Sequence, residues 1–324
     1  MISYKVMIKR SVFPFAFLAL SLTPPDTAEV AFQTPDGNGT IILIDGKPFS
    51  EFFTGNSFPK PFLAPLRTAS GIEVTRKYPM TVVPGESRDH QHHRGLWIGY
   101  GNVNGINFWE NEFNYTTANR GKIVLRKIDE LKPGKKSGKL VATFEWRNPQ
   151  DAVMLEERRT MVFSGDANLR TVDVDAALTA KTNVEFEDTK EGFFAIRLAD
   201  SMAEKNGGRM TSSEGAAREK SVWGKRADWV DYAGSVDGAK VGIVIFDHPG
   251  NYNHPPRWHS RAYGLFAVNP FGLKDFEPAS PEKGGKSIAP GDSLRFRCRV
   301  RIYSGDLPAS RIAAWYEEYK EQVK

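Results

Sequence analysis

From residue 40 onward the chain is written in short runs of β-branched and aromatic residues, closed by glycine, proline or an Asp-Gly pair. This pattern constrains the fold more than any motif does. Alternation with frequent breakers suits half-buried strands and leaves no continuous face for a helix. Residues 40–44 (TIILI) run into Asp45 and Gly46, and residues 123–131 (IVLRKIDEL) and 140–146 (LVATFEW) flank a Lys/Gly turn. Further strands are expected at 153–163, 169–178, 193–198, 241–246 and 294–302. A single helix is expected to begin at Asp306, Leu307 and Pro308, with Ile312, Trp315, Tyr316 and Tyr319 on one face. No strand-then-helix alternation is present, which argues against a doubly wound nucleotide-binding fold. The predicted architecture is mostly β, a large antiparallel β-supersandwich with one C-terminal helix.

Composition sets the remaining bounds. The 324 residues are 40% hydrophobic and 26% charged, enough for a real core and incompatible with a disordered chain. Lys5, Lys9 and Arg10 precede the apolar run 11–22, the arrangement of a secretory leader. The expected division is therefore residues 1–28 as signal peptide or N-terminal anchor and 29–324 as one β-sandwich domain. The expected location is periplasmic or secreted. Twelve apolar residues are too few to cross a bilayer comfortably, so multi-span membrane insertion is not expected. Net charge is +5, and the leader holds part of it, which makes no case for nucleic acid. The lysine-rich stretch 132–139 (KPGKKSGK) reads as a solvated hairpin turn. The one cysteine, Cys298, rules out an intramolecular disulfide and a Cys-based zinc site; its alternating strand suggests a buried thiol.

All six histidines fall in two windows, residues 86–94 (ESRDHQHHR) and 247–261 (DHPGNYNHPPRWHSR). Imidazole is the side chain best suited to proton transfer near pH 7, so two such windows suggest one site assembled from both. On that basis His93, His248 and His259 are expected as catalytic groups. Arg88, Arg94, His254 and Arg261 are expected to bind substrate oxygens. Were residues 88–94 extended, His90 and His92 would share a face and could hold a divalent metal as cofactor, while Asp89 would point away from His90. Residues 95–110 (GLWIGYGNVNGINFWE) interleave aromatics with amides, the mixture that a sugar ring needs. Trp97, Trp109 and Trp258 are therefore expected to contact ligand. No G-x-S-x-G elbow, P-loop, H-E-x-x-H or G-x-G-x-x-G after a strand is present.

Residues 88–110 and 247–272, with 191–198 (EGFFAIRL), resemble a large bacterial family of unknown function whose members are often labelled methane oxygenase PmoA. A membrane methane-oxidising subunit needs several apolar spans of about 20 residues, which this chain lacks. The resemblance implies a secreted protein, similar in size and strand content to the galactose mutarotase-like supersandwich. The functional expectation is a carbohydrate-active enzyme (lyase, hydrolase or epimerase) using histidine acid/base chemistry on a glycan or another small polar substrate. Two other readings stay open: a non-catalytic sugar-binding module and a His-ligated metal-dependent oxidoreductase.

Overall fold

The computed structural model describes residues 28–35 and 39–322, so the expected leader lies outside the described residues. Two eight-stranded antiparallel sheets carry the molecule. The front sheet runs β1 (Val30–Gln33), β2 (Gly39–Ile44), β3 (Lys47–Phe53), β4 (Phe62–Ala64), β5 (Leu96–Tyr100), β11 (Gly192–Arg197), β16 (Leu265–Asn269), β15 (Arg257–Trp258). The back sheet runs β12 (Arg209–Ser212), β13 (Trp229–Val236), β14 (Ala239–Asp247), β18 (Ser293–Ser304), β9 (Leu169–Ala180), β8 (Val153–Gly165), β7 (Ser137–Arg147), β6 (Lys122–Lys132). β10 (Val184–Phe186) and β17 (Lys286–Ile288) form a small third pair. A short helix α1 (Glu219–Val222) precedes β13, and α2 (Ala309–Gln322) closes the described chain. The expected β-supersandwich with a C-terminal helix is the fold observed.

Local chemistry explains the elements. Asp45 (φ 53°) and Gly46 (φ 70°) both take left-handed backbone, the geometry a two-residue hairpin needs between β2 and β3. The Lys/Gly stretch forms the β6–β7 connection, as expected of a solvated turn. β6 is the outer strand of the back sheet and carries two irregularities, between Leu125 and Lys127 and between Ile128 and Glu130.

Three apolar layers follow from the alternation along these strands. The largest fills the space between the sheets and includes Phe52, Phe144, Trp146, Ile245, Trp258 and Cys298. A second covers the outer side of the back sheet, where Trp229, Val244, Phe246 and Tyr303 meet Ile312, Trp315, Tyr316 and Tyr319 of α2. A third lies on the outer side of the front sheet: Phe62, Ala64, Trp97, Trp109, Ala195, Leu265 and Ala267. Among the described residues no helix of the fold packs on this third layer, and loop residues Phe58, Met80 and Tyr263 lie against it.

Candidate active site

The outer face of the front sheet is built in register. Phe62 pairs with Trp97, Trp97 with Ala195, and Ala195 with Ala267, whose carbonyl accepts from the His259 backbone N–H. The two alanines leave room above the sheet between Trp97 and His259. Into this region fold residues 87–94, pegged by the buried Arg76. Its guanidinium donates to Asp89 Oδ1 (2.6 Å), to the Asp89 carbonyl (2.8 Å) and to the His90 carbonyl (2.9 Å). Asp200 holds Ser87 through its backbone N–H and hydroxyl. Gly95 (φ 50°) then leads into β5, and a Cβ there would lie 2.0 Å from the Leu63 carbonyl oxygen, so only glycine fits.

Residues 88–94 are thus a turn rather than an extended strand, which corrects the expected facing of the histidines. His90 has φ 42°, a left-handed conformation uncommon outside glycine. The reversal brings its Nδ1 to 3.2 Å from Asp89 Oδ2, where an extended chain would have turned them apart. Asp89 Oδ1 meanwhile accepts from Arg76 and from Arg197 (2.7 Å), and both arginine side chains are fully buried. Burial pushes the Asp89 carboxyl up, but Arg197, His90 and Arg76 outweigh it and hold the group below the usual carboxylate range. His90 itself is 39% exposed. The outcome is an imidazole oriented by a carboxylate that two buried cations keep ionised.

Aromatic rings assemble around it. His90 stacks on His93 (4.8 Å, 7°) and on Tyr263 (5.0 Å, 5°), and His93 stacks on Trp97 (5.1 Å, 22°). Arg197 lies over the Tyr263 ring at 4.8 Å. His93 is buried, and both of its ring nitrogens lack partners, as do Trp97 Nε1, Trp109 Nε1, Arg197 Nε and Nη1, and His259 Nδ1. Burial, reinforced by His92 and Arg197, drives the His93 imidazole well below its usual range. His92 falls to about 2 through burial and Lys60, and His259 to about 3 through burial and Arg261. These three are neutral imidazoles at any ordinary pH. Glu191 is within electrostatic reach of Tyr263 and Glu110. Burial raises its carboxyl against the pull of Lys190, and Glu110 adds to the rise.

Several expected ligand contacts are engaged inside the protein instead. Arg94 is buried in a two-pronged pair with Glu112 (2.8 and 2.7 Å), so it supports the site from below. Trp97 and Trp109 are 0% exposed and form floor rather than platform. Trp258 points between the sheets, where Nε1 donates to the Ala227 carbonyl; alternation puts its neighbours Arg257 and His259 outside. Arg261, 32% exposed, pairs with Glu219 at 2.7 Å and stays on the site face over Tyr263 (5.7 Å). Arg88 is exposed on the loop. His90 and His92 have ring centres 5.7 Å apart, but His92 Nδ1 lies 3.1 Å from the Tyr115 hydroxyl. Among the described residues no group of three or more His, Cys, Asp or Glu is gathered to hold a metal ion.

The second histidine window divides. His259 joins the front face. His248 follows β14 at the end of the back sheet, accepts from the Gly250 N–H (2.9 Å) and packs its ring edge-on to Tyr319 of α2 (5.5 Å). His254 sits between Asp247 (2.7 Å) and Asp228 (3.2 Å), also beside α2. His93 and His248 therefore lie on opposite outer faces of the sandwich, and the expected single site joining them is not formed. The pairing that sequence reasoning missed is that of Asp89 with His90. The polar density of the window was its signal, and the backbone reversal hid the pairing.

A family model described as a family of unknown function, DUF6807, matches residues 40–317. The chain belongs to that family. No curated protein matches the DUF6807 chain. Among solved structures it is similar to a putative aldose 1-epimerase from Escherichia coli K12, at 10% identity and a TM-score of 0.36, covering 86% of this chain and 100% of that one. It is also similar to a galactose mutarotase-like protein from Clostridium acetobutylicum, at 9% identity and a TM-score of 0.38, covering 85% and 98%. A heparan sulfate lyase from Pedobacter heparinus matches at 14% identity and 0.35, covering 86% and 36%. These are distant likenesses of architecture. Among the described residues no helix is long and apolar enough to cross a membrane.

Proposed function

We propose that the outer face of the front sheet is the active site of an enzyme acting on a carbohydrate or a similarly hydroxyl-rich small molecule, with His90 as its proton-transfer group. The observation that carries this reading is the Asp89–His90 pair fixed by Arg76 and Arg197. A base within reach of solvent, held in orientation by a carboxylate, is the arrangement that acid/base catalysis requires. Glu191, with its carboxyl raised by burial, supplies the complementary acid on the same face. Tyr263, half-buried between His90 and the arginines, offers a ring edge to a sugar, and Arg261 the hydroxyl-binding donors. The reading takes the protein to be exported, as the basic residues before the apolar run 11–22 indicate.

The test is turnover on a panel of mono-, di- and trisaccharides, comparing the wild type with His90→Gln. Turnover by the wild type, falling about 10²–10⁴-fold in the folded variant, is the expected result. Binding without turnover, or a variant as active as the wild type, would overturn the assignment.

A further inference from the structure

A second recess opens beside the segment that links the His92 region to the front sheet's far end. It encloses about 310 Å³ and is lined by Phe58, Lys60, Phe113, Lys122, Arg147 and Asn56, among others. None of its lining residues carries a carboxylate, and three of them are cations. Lys122 pairs with Asp151 (2.8 Å), and Arg147 with Asp151 (3.0 Å) and Glu145; an ammonium has three donors and a guanidinium five, so each keeps donors beyond these bonds. Lys60 is 1% exposed, and its ammonium donates to the Trp109 carbonyl (2.8 Å) and Asn111 Oδ1 (2.6 Å). An ammonium has three donors, so one remains after these two bonds. Burial has brought this amine down to about 7, a cost that an incoming anion would relieve. Phe113 is 59% exposed, one of two large apolar side chains so exposed among the described residues. An open aromatic face beside an amide and several cations combines stacking with charge recognition.

The recess also adjoins the first site. Lys60 of the recess donates to the Trp109 carbonyl, the Trp109 ring packs edge-on to His93 (5.6 Å), and His93 carries His90 on its face. We propose that this recess is an accessory subsite for an acidic sugar unit, bearing a carboxylate or a sulfate. The ring stacks on Phe113, and Lys122, Arg147 and the spare donor of Lys60 hold the anion. The inference rests on the reading that the His90 face acts on a carbohydrate, and it narrows the substrate to an acidic glycan.

Calorimetric titration of the full chain tests it. The probes are neutral disaccharides of glucose, galactose and mannose, and counterparts in which one unit carries a C6 carboxylate or a sulfate. At least one acidic probe is expected to bind tenfold or more tightly than its neutral counterpart, with the advantage shrinking as salt rises. The carboxylate and sulfate arms identify which anion is taken. The surface double variant Lys122→Gln/Arg147→Gln should lose the advantage and keep the neutral affinity, while Phe113→Ala should weaken both. Equal binding of acidic and neutral probes, or an advantage untouched in the double variant, overturns the subsite. If neutral probes still turn over in a His90-dependent way, the reading of the first site survives that failure; if no probe binds, both fall.

Discussion

On the back sheet charges come in pairs: Arg299 faces Asp173 across the strands, Arg295 reaches Asp175, and Arg301 leans to Glu318 of α2. On the front sheet one carboxylate, Asp89, serves two buried arginines and an imidazole, and several polar atoms around it have no partner. The difference is one of purpose. A face sealed by α2 needs its charges neutralised locally to hold a helix down. A face left to loops gathers its donors and aromatic rings around one carboxylate, and buried polar groups without partners cost about 1–3 kcal/mol each.

The sharpest way to break this contrast is to remove the shared carboxylate. Asp89→Ala leaves Arg76 and Arg197 buried without their counter-ion and is expected to destabilise by about 3–5 kcal/mol in denaturant melts. A loss below about 1 kcal/mol would mean the two cations are solvated and the front face is not organised around Asp89.

The buried histidines of the front face and one carboxyl of the back face should respond to pH with opposite sign. His92, His93 and His259 are held below their ordinary pKa of 6.5 in the folded chain. Their contribution is complete above 6.5 and is lost as pH falls through that value, because the unfolded chain then binds more protons. Beneath the start of α2, burial lifts the Asp231 carboxyl to about 7, against the Tyr303 hydroxyl 2.7 Å away. Its contribution is complete below about 3.8 and is lost as pH rises towards 7, since here the folded state holds the proton. Asp231→Asn should therefore raise stability by about 2 kcal/mol at pH 8 and leave pH 4 nearly unchanged. Thermal melts of both proteins between pH 4 and pH 9 would show it, and a shift of equal size at both ends would refute it.

The smallest effect is the control. His254→Asn removes an imidazole from between Asp247 and Asp228 beside α2. It is expected to cost about 1–2 kcal/mol in melts and to leave turnover on the sugar panel unchanged. Lost turnover in a folded His254→Asn protein would join the two faces that the geometry separates.

Much of the architecture was legible because alternation is local: the strands expected after residue 150, the Asp45-Gly46 turn and α2 all stand where pattern puts them, while β12 and β13 were not foreseen. The site was only half legible. Residues 88–94 have no periodicity to read, and what turns them is Arg76, a side chain more than ten positions upstream. The second histidine window misled for a topological reason. Between Asp247 and Arg257 the chain crosses from the back sheet to the front one, so His248 and His259, eleven residues apart, end on opposite faces. Adjacent Trp258 and His259 also part company, since neighbouring strand residues face opposite ways.

The two irregularities in β6 bear on how copies of this chain meet one another. An open sheet ends in a strand whose outward N–H and C=O groups are a template for another chain. β6 bends at two places along its length and carries Arg126 and Lys127, 66% and 65% exposed. A second molecule approaching that rim finds a kinked, cationic rail in place of a straight row of donors and acceptors. Straightening the rim and stripping its charge is expected to let the long back sheet pair edge to edge with a second copy.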